Sequence, residues 1–284
     1  PTYDMLIAGD TDGVFQLESS GMKKLVKDLK PDVFEDLGAL VALFRPGPLE
    51  SGMVTDFVER KHGRQEIKYA HPLLEPVLKD TYGTIVYQEQ IMQVFQVLAD
   101  YTLGQADMVR RMMGKKKLDE MAQQKGKFIE GAARHGMESK DAAALFEQIE
   151  KFASYCFNRS HSAAYAFVAY QTAYLKCHYP VEYLASLLTS VSGDQDKTQL
   201  YIEEALKKGI KVMAPDINKS FAEFTPDEGN IRFGLASIKQ VGEAVVEAII
   251  QEREANGEFK SIYDYCKRLD SKCCNKKTLE GLIK

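Results

Sequence analysis

The sequence FASYCFNRSHSAAYAFVAY, beginning at Phe152, brings small, aromatic and polar side chains unusually close together. Its second half predicts a helix, because Ser160 or the serine two residues later can cap the N-terminus and the alanines that follow favour helix. His161, Tyr165 and Thr172 follow one another at spacings of four and seven residues. These spacings place the three side chains on one face of the helix, so we expect them to meet the same neighbour.

Two polar residues, Asn158 and Arg159, precede this helix. The backbone N–H groups and the positive end of a helix favour a phosphate, and the alanine-rich face would let a flat ligand approach the backbone. The alternative is a well-packed core helix with a polar cap, and periodicity alone does not exclude it.

Four motifs extend the pattern across most of the chain. They are RPGPL at Arg45–Leu49, YQEQ at Tyr87–Gln90, MVRRMMGKKK at Met108–Lys117 and FNRSHSAAY at Phe157–Tyr165. In this order they resemble the fingers of the C family of DNA polymerases, the bacterial replicative DNA polymerase III alpha subunits. The resemblance implies a mainly α-helical fold. Because neither end shows an obvious cap, we also expect the chain to be part of a longer protein.

The composition is that of an ordinary soluble globular protein. Of the 284 residues, 45% are hydrophobic and 27% are charged. No apolar run approaches the roughly 20 residues of a membrane span, and the N-terminus has no signal-peptide pattern, so we expect a cytoplasmic protein. The five cysteines are odd in number and lack C-x-x-C spacing, which argues against a disulfide framework and a zinc site.

Three regions follow from the change in composition along the chain. We predict a helical fingers domain at residues 1–209, a strand-containing link at residues 210–232 and a partial helix-hairpin-helix module at residues 233–284. Within the first region we expect a turn and a short strand or extended segment at Asp10–Glu18, and a helix at Thr84–Ala99. The two prolines of the RPGP motif predict a rigid, non-helical corner.

A basic segment lies at residues 108–127. It contains seven basic and two acidic residues, which gives a local charge of +5, whereas the whole chain has a net charge of −4. Arg110 and Arg111 point in different directions from a short helix, and guanidinium groups bind two phosphate oxygens at once. A solvated basic face is the usual alternative. The resemblance implies that Arg110 and Arg111 bind the triphosphate of the incoming nucleotide, with Lys115 also on nucleotide and Lys116 and Lys117 on nucleotide or template phosphate.

The resemblance also places the Asn158–Tyr165 helix start beside the nascent base pair. Tyr165 would stack on a base, which suits a copying enzyme because stacking tolerates every base, and His161 would contact phosphate or sugar. Asn158 and Ser160 complete this predicted nucleotide site. The alternative for His161 is a helix-cap histidine. Arg45, held by the RPGP corner, is predicted to bind DNA, or else to be a surface arginine beside a structural turn.

No catalytic metal site is predicted in this chain. Two-metal phosphoryl transfer needs carboxylates that hold two ions about 4 Å apart. The D-x-D sequences at Asp10–Asp12 and Asp194–Asp196 occur in a turn and at a helix start, where acidic residues are expected anyway. In the C family the metal-binding aspartates belong to an upstream palm domain. The resemblance therefore implies that Mg²⁺ is held by the palm and that this piece binds without polymerising.

A helical hairpin is predicted around the turn KQVG, with Gly242 opening its second helix. It resembles a helix-hairpin-helix motif, in which backbone N–H groups bind a DNA phosphate without reading sequence, so Lys239 and Gly242 are candidate DNA contacts. The family usually has glycine at Gln240, and a plain helical hairpin is the alternative. The basic segment after it, which includes Arg268, is expected to continue the duplex contact.

Cys156 stands where the family commonly has glycine. In one lineage the alpha subunit is encoded as two halves joined by a split intein, and the junction resembles Tyr155–Cys156 here. Trans-splicing needs a thiol at the first position after the intein, because that thiol carries the acyl branch. Cys156 is therefore a candidate splice scar, or else an ordinary buried cysteine.

These features together predict a fragment of a replicative DNA-directed DNA polymerase, a nucleotidyltransferase, that binds deoxynucleoside triphosphate (dNTP) and primer-template DNA. The resemblance implies further partners, the sliding clamp and other replisome subunits, through the full-length protein. The competing interpretation is a non-catalytic helical DNA-binding or replisome scaffold module.

Overall fold

The computed structural model describes residues 1–115 and 118–283, and the chain divides into two compact units, residues 1–173 and 174–284. The mainly α-helical fold predicted from the sequence is confirmed. The predicted boundary at residue 209 lies inside the second unit. The helices of the first unit are α1 (Thr2–Ile7), α2 (Ser20–Leu29), α3 (Phe34–Leu43), α4 (Pro46–Glu50), α5 (Met53–Lys61), α6 (Glu75–Leu78), α7 (Gln88–Ala99), α8 (Leu103–Lys115), α9 (Leu118–Arg134) and α10 (Ser139–Phe152).

Helix α11 (Arg159–His178) begins in the first unit and ends in the second. It matches the helix predicted from Ser160 to about Tyr179. Single 3-10 turns lie at Pro72–Leu74, Lys79–Thr81 and Ala153–Tyr155. No helix among the described residues combines the length and the apolar character needed to cross a lipid bilayer.

The first unit contains two hydrophobic cores. One is built by α1 to α5 and closed by the alanine side of α11, where Ala166, Ala169 and Ala173 are fully buried. The small side chains allow α11 to approach its neighbours closely, which explains why this helix is rich in alanine. The other core is built by α6 to α10 around Phe95, whose ring centroid lies 4.9 Å from that of Phe128 on α9.

Three local predictions for the first unit were wrong. Residues 11–17 form the predicted turn but not the predicted strand or extended segment, and the Thr11 hydroxyl donates to the Leu17 carbonyl at 2.7 Å. The RPGP corner is the short helix α4, because its prolines occupy the first turn, where backbone N–H groups have no intrahelical partner to lose. The helix predicted from Thr84 begins only at Gln88, because Tyr87 instead pairs in parallel with Phe157.

After the end of α11, the described part of the second unit contains two α-helices, then a small sheet, then three further α-helices. The predicted strands between residues 210 and 234 are confirmed as a three-stranded sheet of order β1-β3-β2, with β1 parallel and β2 antiparallel to β3. Its elements are α12 (Pro180–Ser190), α13 (Gln195–Lys207), β1 (Val212–Met213), β2 (Thr225–Asp227), β3 (Asn230–Arg232), α14 (Glu243–Asn256), α15 (Ile262–Arg268) and α16 (Lys276–Ile283).

The predicted hairpin around KQVG differs from expectation in its first helix. That helix is a single 3-10 turn, Leu235–Ser237, whereas the second is the full helix α14 with Gly242 at its N-cap. Leu235, Val246 and Ile249 are buried in a core of their own, so this hairpin is held by packing on both sides of its turn.

Candidate functional site

The basic end of helix α8 is organised by one carboxylate. The Asp107 Oδ1 atom accepts from Arg110 at 2.7 Å, and its Oδ2 atom accepts from Arg111 at 2.8 Å. These hydrogen bonds hold the pKa of Asp107 below its usual value. The Arg110 side chain is 25% exposed and that of Arg111 is 67% exposed, so both guanidinium groups are directed by Asp107 and remain open to a ligand.

The sequence did not predict that Asp107 pairs with both arginines, because Asp107 lies one residue before the basic segment. An acidic residue three and four positions before two arginines on a helix is the signal that could have identified it. Lys115 closes α8, but its side chain and the residues Lys116 and Lys117 lie outside the described part of the structure.

Helix α7 begins next to the chain that leads into α11. The Gln88 backbone N–H donates to the Phe157 carbonyl at 2.8 Å, and the Phe157 N–H donates to the Val86 carbonyl at 2.9 Å. The Gln88 side chain accepts from Arg110 at 3.0 Å and donates to the Cys156 carbonyl at 3.3 Å. The YQEQ motif therefore links Arg110 on the basic helix to the segment just before α11.

The N-terminus of α11 is already satisfied by protein groups. The Glu89 carboxylate accepts from the Asn158 amide and from the Arg159 backbone N–H, both at 2.9 Å. The Asn158 Oδ1 atom accepts from the His161 N–H at 2.8 Å and from the Ser160 hydroxyl at 2.7 Å. The sequence suggested a phosphate at this helix end, whereas the structure places a carboxylate there.

Aromatic rings form a column along α11. The His161 ring lies 5.4 Å from the Phe157 ring and 4.3 Å from the Tyr165 ring, and Tyr165 lies 5.4 Å from Phe15. Thr172 accepts from the Phe15 backbone N–H at 3.1 Å. Tyr165 and Thr172 thus share one neighbour, as their spacing predicts, while His161 and Phe15 keep exposed ring surface beside Tyr165.

Arg45 supports the segment before α11. Its guanidinium donates to the Ala42 and Tyr155 carbonyls, each at 2.7 Å, and its central carbon lies 4.5 Å from the centre of the Phe157 ring. Burial lowers the pKa of this guanidinium from its usual value. The helical turn that carries Arg45 also packs against Tyr155, since a Cβ atom at Gly47 would lie 2.5 Å from the Tyr155 ring.

Cys156 is enclosed by the same segment. It is 4% exposed, and its Sγ atom lies 3.6 Å from the Ile85 carbonyl oxygen and 3.5 Å from that of Phe152. Burial raises the pKa of its thiol to about 12, so the group is neutral at physiological pH. Because the thiol is buried and neutral, it is a poor nucleophile in the folded protein.

In the second unit, the predicted DNA contacts Lys239 and Gly242 are exposed at the hairpin turn. Gln240 has φ = 72°, the left-handed conformation that glycine adopts without strain. The turn also fits closely against α16, because a Cβ atom at Gly281 would lie 2.6 Å from the Lys239 carbonyl oxygen.

Arg268, expected in the basic segment that follows, has a structural role. It bonds the carboxylates of Glu252 at 2.8 Å and Asp264 at 3.2 Å, and it donates to the Gly257 carbonyl at 2.8 Å. These contacts fix the C-terminal end of α14, so this arginine is not directed at a duplex.

The acidic D-x-D sequences make local contacts. Asp12 pairs with Lys23, and Asp194 caps α13 by accepting from the Lys197 N–H at 3.1 Å. Within residues 1–115 and 118–283, no three His, Cys, Asp or Glu residues cluster closely enough to hold a metal ion.

Two family models match successive parts of the chain. Residues 1–136 match the family model of the bacterial DNA polymerase III alpha subunit finger domain, and residues 209–284 match that of the helix-hairpin-helix motif. The whole chain is 55% identical to the DNA polymerase III subunit alpha of Pseudomonas aeruginosa. Over 99% of its length it is 52% identical to that of Escherichia coli strain K12, and over 96% it is 51% identical to that of Vibrio cholerae. The chain spans about a quarter of the length of these relatives.

Proposed function

Because this chain belongs to the family of bacterial DNA polymerase III alpha subunits, which it matches through their finger and helix-hairpin-helix regions, we propose that it binds incoming dNTP and primer-template DNA during template-directed DNA synthesis. The observation that carries the proposal is the contact between Arg110 and Gln88, which joins the basic helix to the segment that starts α11.

The triphosphate binds to Arg110 and Arg111. Guanidinium groups are always charged and bind phosphate oxygens in a bidentate geometry, and Asp107 holds both groups in place at the end of α8. The phosphate does not bind at the α11 N-terminus, because the Glu89 carboxylate would repel it there. Lys115, the last residue of α8, is proposed to bind the nucleotide as well.

The base and sugar lie along α11. Tyr165 and His161 offer adjacent rings at 4.3 Å, and stacking on such rings contributes roughly 1–3 kcal/mol per base without selecting among bases. Asn158 and Ser160 contribute by capping the helix that carries these rings. Their part in nucleotide binding is to shape the site.

Each unit has its own proposed DNA contacts. Lys239 and the backbone at Gly242 bind duplex phosphate through the hairpin turn, and Lys116 and Lys117 bind template phosphate. Arg45 contributes to DNA binding indirectly, because it holds the segment before α11 in place. The alternative, a non-catalytic DNA-binding or replisome scaffold, keeps the hairpin contact but requires no nucleotide at Arg110.

Phosphoryl transfer itself belongs to the rest of the subunit. Mg²⁺, held by carboxylates of a palm domain, would stabilise the charge that develops on the transferring phosphate. The sliding clamp and other replisome subunits bind elsewhere in the full-length protein, which acts in the cytoplasm. The residues of this chain bind and orient the substrates.

We further propose that Cys156 is the junction residue of a split-intein reaction. Before folding, the Cys156 thiolate attacks the thioester that joins Tyr155 to the intein, so that the intein thiolate leaves and Tyr155 is carried on Cys156. Cleavage of the peptide bond between the intein and Cys156 then frees the Cys156 amine, which attacks the Tyr155 carbonyl to form the peptide bond and release the Cys156 thiol. Burial of the thiol afterwards explains why the residue can remain without consequence. Sequencing the gene tests this idea, since one uninterrupted reading frame through codons 150–160 would exclude it.

The nucleotide assignment is tested in the full-length subunit with Arg110→Ala and Arg111→Ala. Each loses a charged hydrogen-bond donor to phosphate, so we expect KM for dNTP to rise roughly tenfold or more while the Kd for primer-template changes little. Arg134→Ala is the matched control, because Arg134 is an exposed arginine of the same unit that also pairs with a carboxylate, Asp100. An unchanged KM for both variants would leave the scaffold interpretation.

A further inference from the structure

The Gln88 side chain makes two contacts that set the orientation of Arg110. We infer that Gln88 is a positioning residue that presents Arg110 to the nucleotide triphosphate, an inference that rests on the proposed role of Arg110. Its Oε1 atom accepts from Arg110 Nη1 at 3.0 Å, and its Nε2 atom donates to the Cys156 carbonyl at 3.3 Å. One half-buried amide thereby ties the Arg110 guanidinium to the segment before α11.

The backbone fixes Gln88 before its side chain acts. Its N–H donates to the Phe157 carbonyl at 2.8 Å, and Tyr87 pairs in parallel with Phe157. The next turn is held by Gln90, which is 1% exposed and accepts from the Val86 N–H at 2.9 Å. A side chain attached to this anchored turn has little freedom, so it can hold a partner at a defined position.

Glutamine satisfies both partners at this reach. The Arg110 guanidinium can only donate hydrogen bonds, and the Cys156 carbonyl can only accept them. The side chain that connects them must therefore accept at one end and donate at the other. Glutamate cannot donate to the Cys156 carbonyl, and asparagine is shorter by one methylene. The opposite ends of the amide therefore account for the residue type at this position.

The contact leaves Arg110 able to bind an anion. Its contacts with described residues use three of its five N–H groups, two on Asp107 and one on Gln88. The remaining two are available to phosphate oxygens. A neutral amide orients the guanidinium without competing for its charge, whereas a second carboxylate would compete with the triphosphate.

The inference is tested by a double-mutant cycle in the full-length subunit between Gln88→Glu and Arg110→Ala. We expect Gln88→Glu to raise KM for dNTP roughly tenfold, with kcat within about twofold of wild type, because a charged group then competes for Arg110. In the Arg110→Ala background the same change should have no further effect on KM. Gln93→Glu is the matched control, since Gln93 is exposed on the same helix and receives the same charge.

The outcomes separate the two proposals. An equal rise in KM in both backgrounds would show that Gln88 acts independently of Arg110 and would overturn the inference while leaving the nucleotide site intact. So would a Gln88→Glu variant with an unchanged KM when Arg110→Ala raises it. If Arg110→Ala leaves KM unchanged, the proposed function fails and the inference fails with it. Should Gln88→Glu not fold, Gln88→Met removes both contacts without adding a charge. We then expect KM for dNTP to rise roughly threefold when Arg110 is present and not to rise in the Arg110→Ala variant.

Discussion

Replacing Asn158 with alanine separates its role as a helix cap from a role as a nucleotide ligand. The change removes the acceptor of the His161 N–H at 2.8 Å and the donor to Glu89 at 2.9 Å. An N-cap contributes about 1 kcal/mol, and an exposed hydrogen bond to a carboxylate adds about 0.5–1 kcal/mol. We therefore expect the start of α11 to lose about 1.5–2 kcal/mol, equivalent to a roughly 10- to 30-fold increase in local opening.

Hydrogen exchange followed by mass spectrometry measures this loss directly. Because the chain has two compact units, a single global unfolding curve would not isolate one helix start, whereas exchange reports local opening. Amides of residues 159–165 should exchange faster by that factor. Asp194→Ala, which removes the cap of α13 at 3.1 Å from the Lys197 N–H, is the control and should affect α13 alone. Unchanged exchange at residues 159–165 together with a raised KM for dNTP would refute the capping role.

Three further predictions follow from the described contacts. Because burial raises the pKa of the Cys156 thiol to about 12, alkylation at pH 8 should label exposed Cys266 rapidly and leave Cys156 unlabelled until the protein unfolds, as peptide mass spectrometry can check. Lys61→Met should destabilise the first unit by about 3 kcal/mol in urea unfolding. The reason is that Asp36, which is 1% exposed and lies 2.7 Å from the lysine, is left as an unpaired buried charge. Adding Asp36→Asn to this variant should therefore recover most of the lost stability. Gln240→Gly should raise the free energy of unfolding of the second unit by roughly 0.5–1 kcal/mol, because φ = 72° costs glutamine more than glycine, and an unchanged urea midpoint would contradict this.

Much of the fold could be predicted from local pattern. The alanine spacing of α11, the strands between residues 210 and 234 and the cap at Asp194 are all properties of short segments, and the structure has them. The RPGP motif shows where a local rule was applied at the wrong position. Proline breaks a helix from its interior, whereas the first turn tolerates it, and sequence alone did not show that Pro46 begins a helix.

The site could be predicted only as separate pieces. Arg110 and the Asn158 segment were identified individually, but their connection depends on Gln88 meeting a carbonyl 68 positions further along the chain. The Glu89 carboxylate at the α11 N-terminus is a contact of the same kind, and it turns a suggested phosphate site into a protein-capped helix. Such pairings depend on how α7 packs, and no local pattern encodes them.

The central claim is that the α8 arginines and the α11 aromatic rings hold one nucleotide. The most direct measurement is a structure of the full-length subunit bound to primer-template DNA and a non-hydrolysable dNTP. We expect phosphate oxygens at hydrogen-bond distance, about 3 Å, from the Arg110 and Arg111 guanidinium groups, with the base beside Tyr165. A triphosphate bound away from both arginines would contradict this expectation.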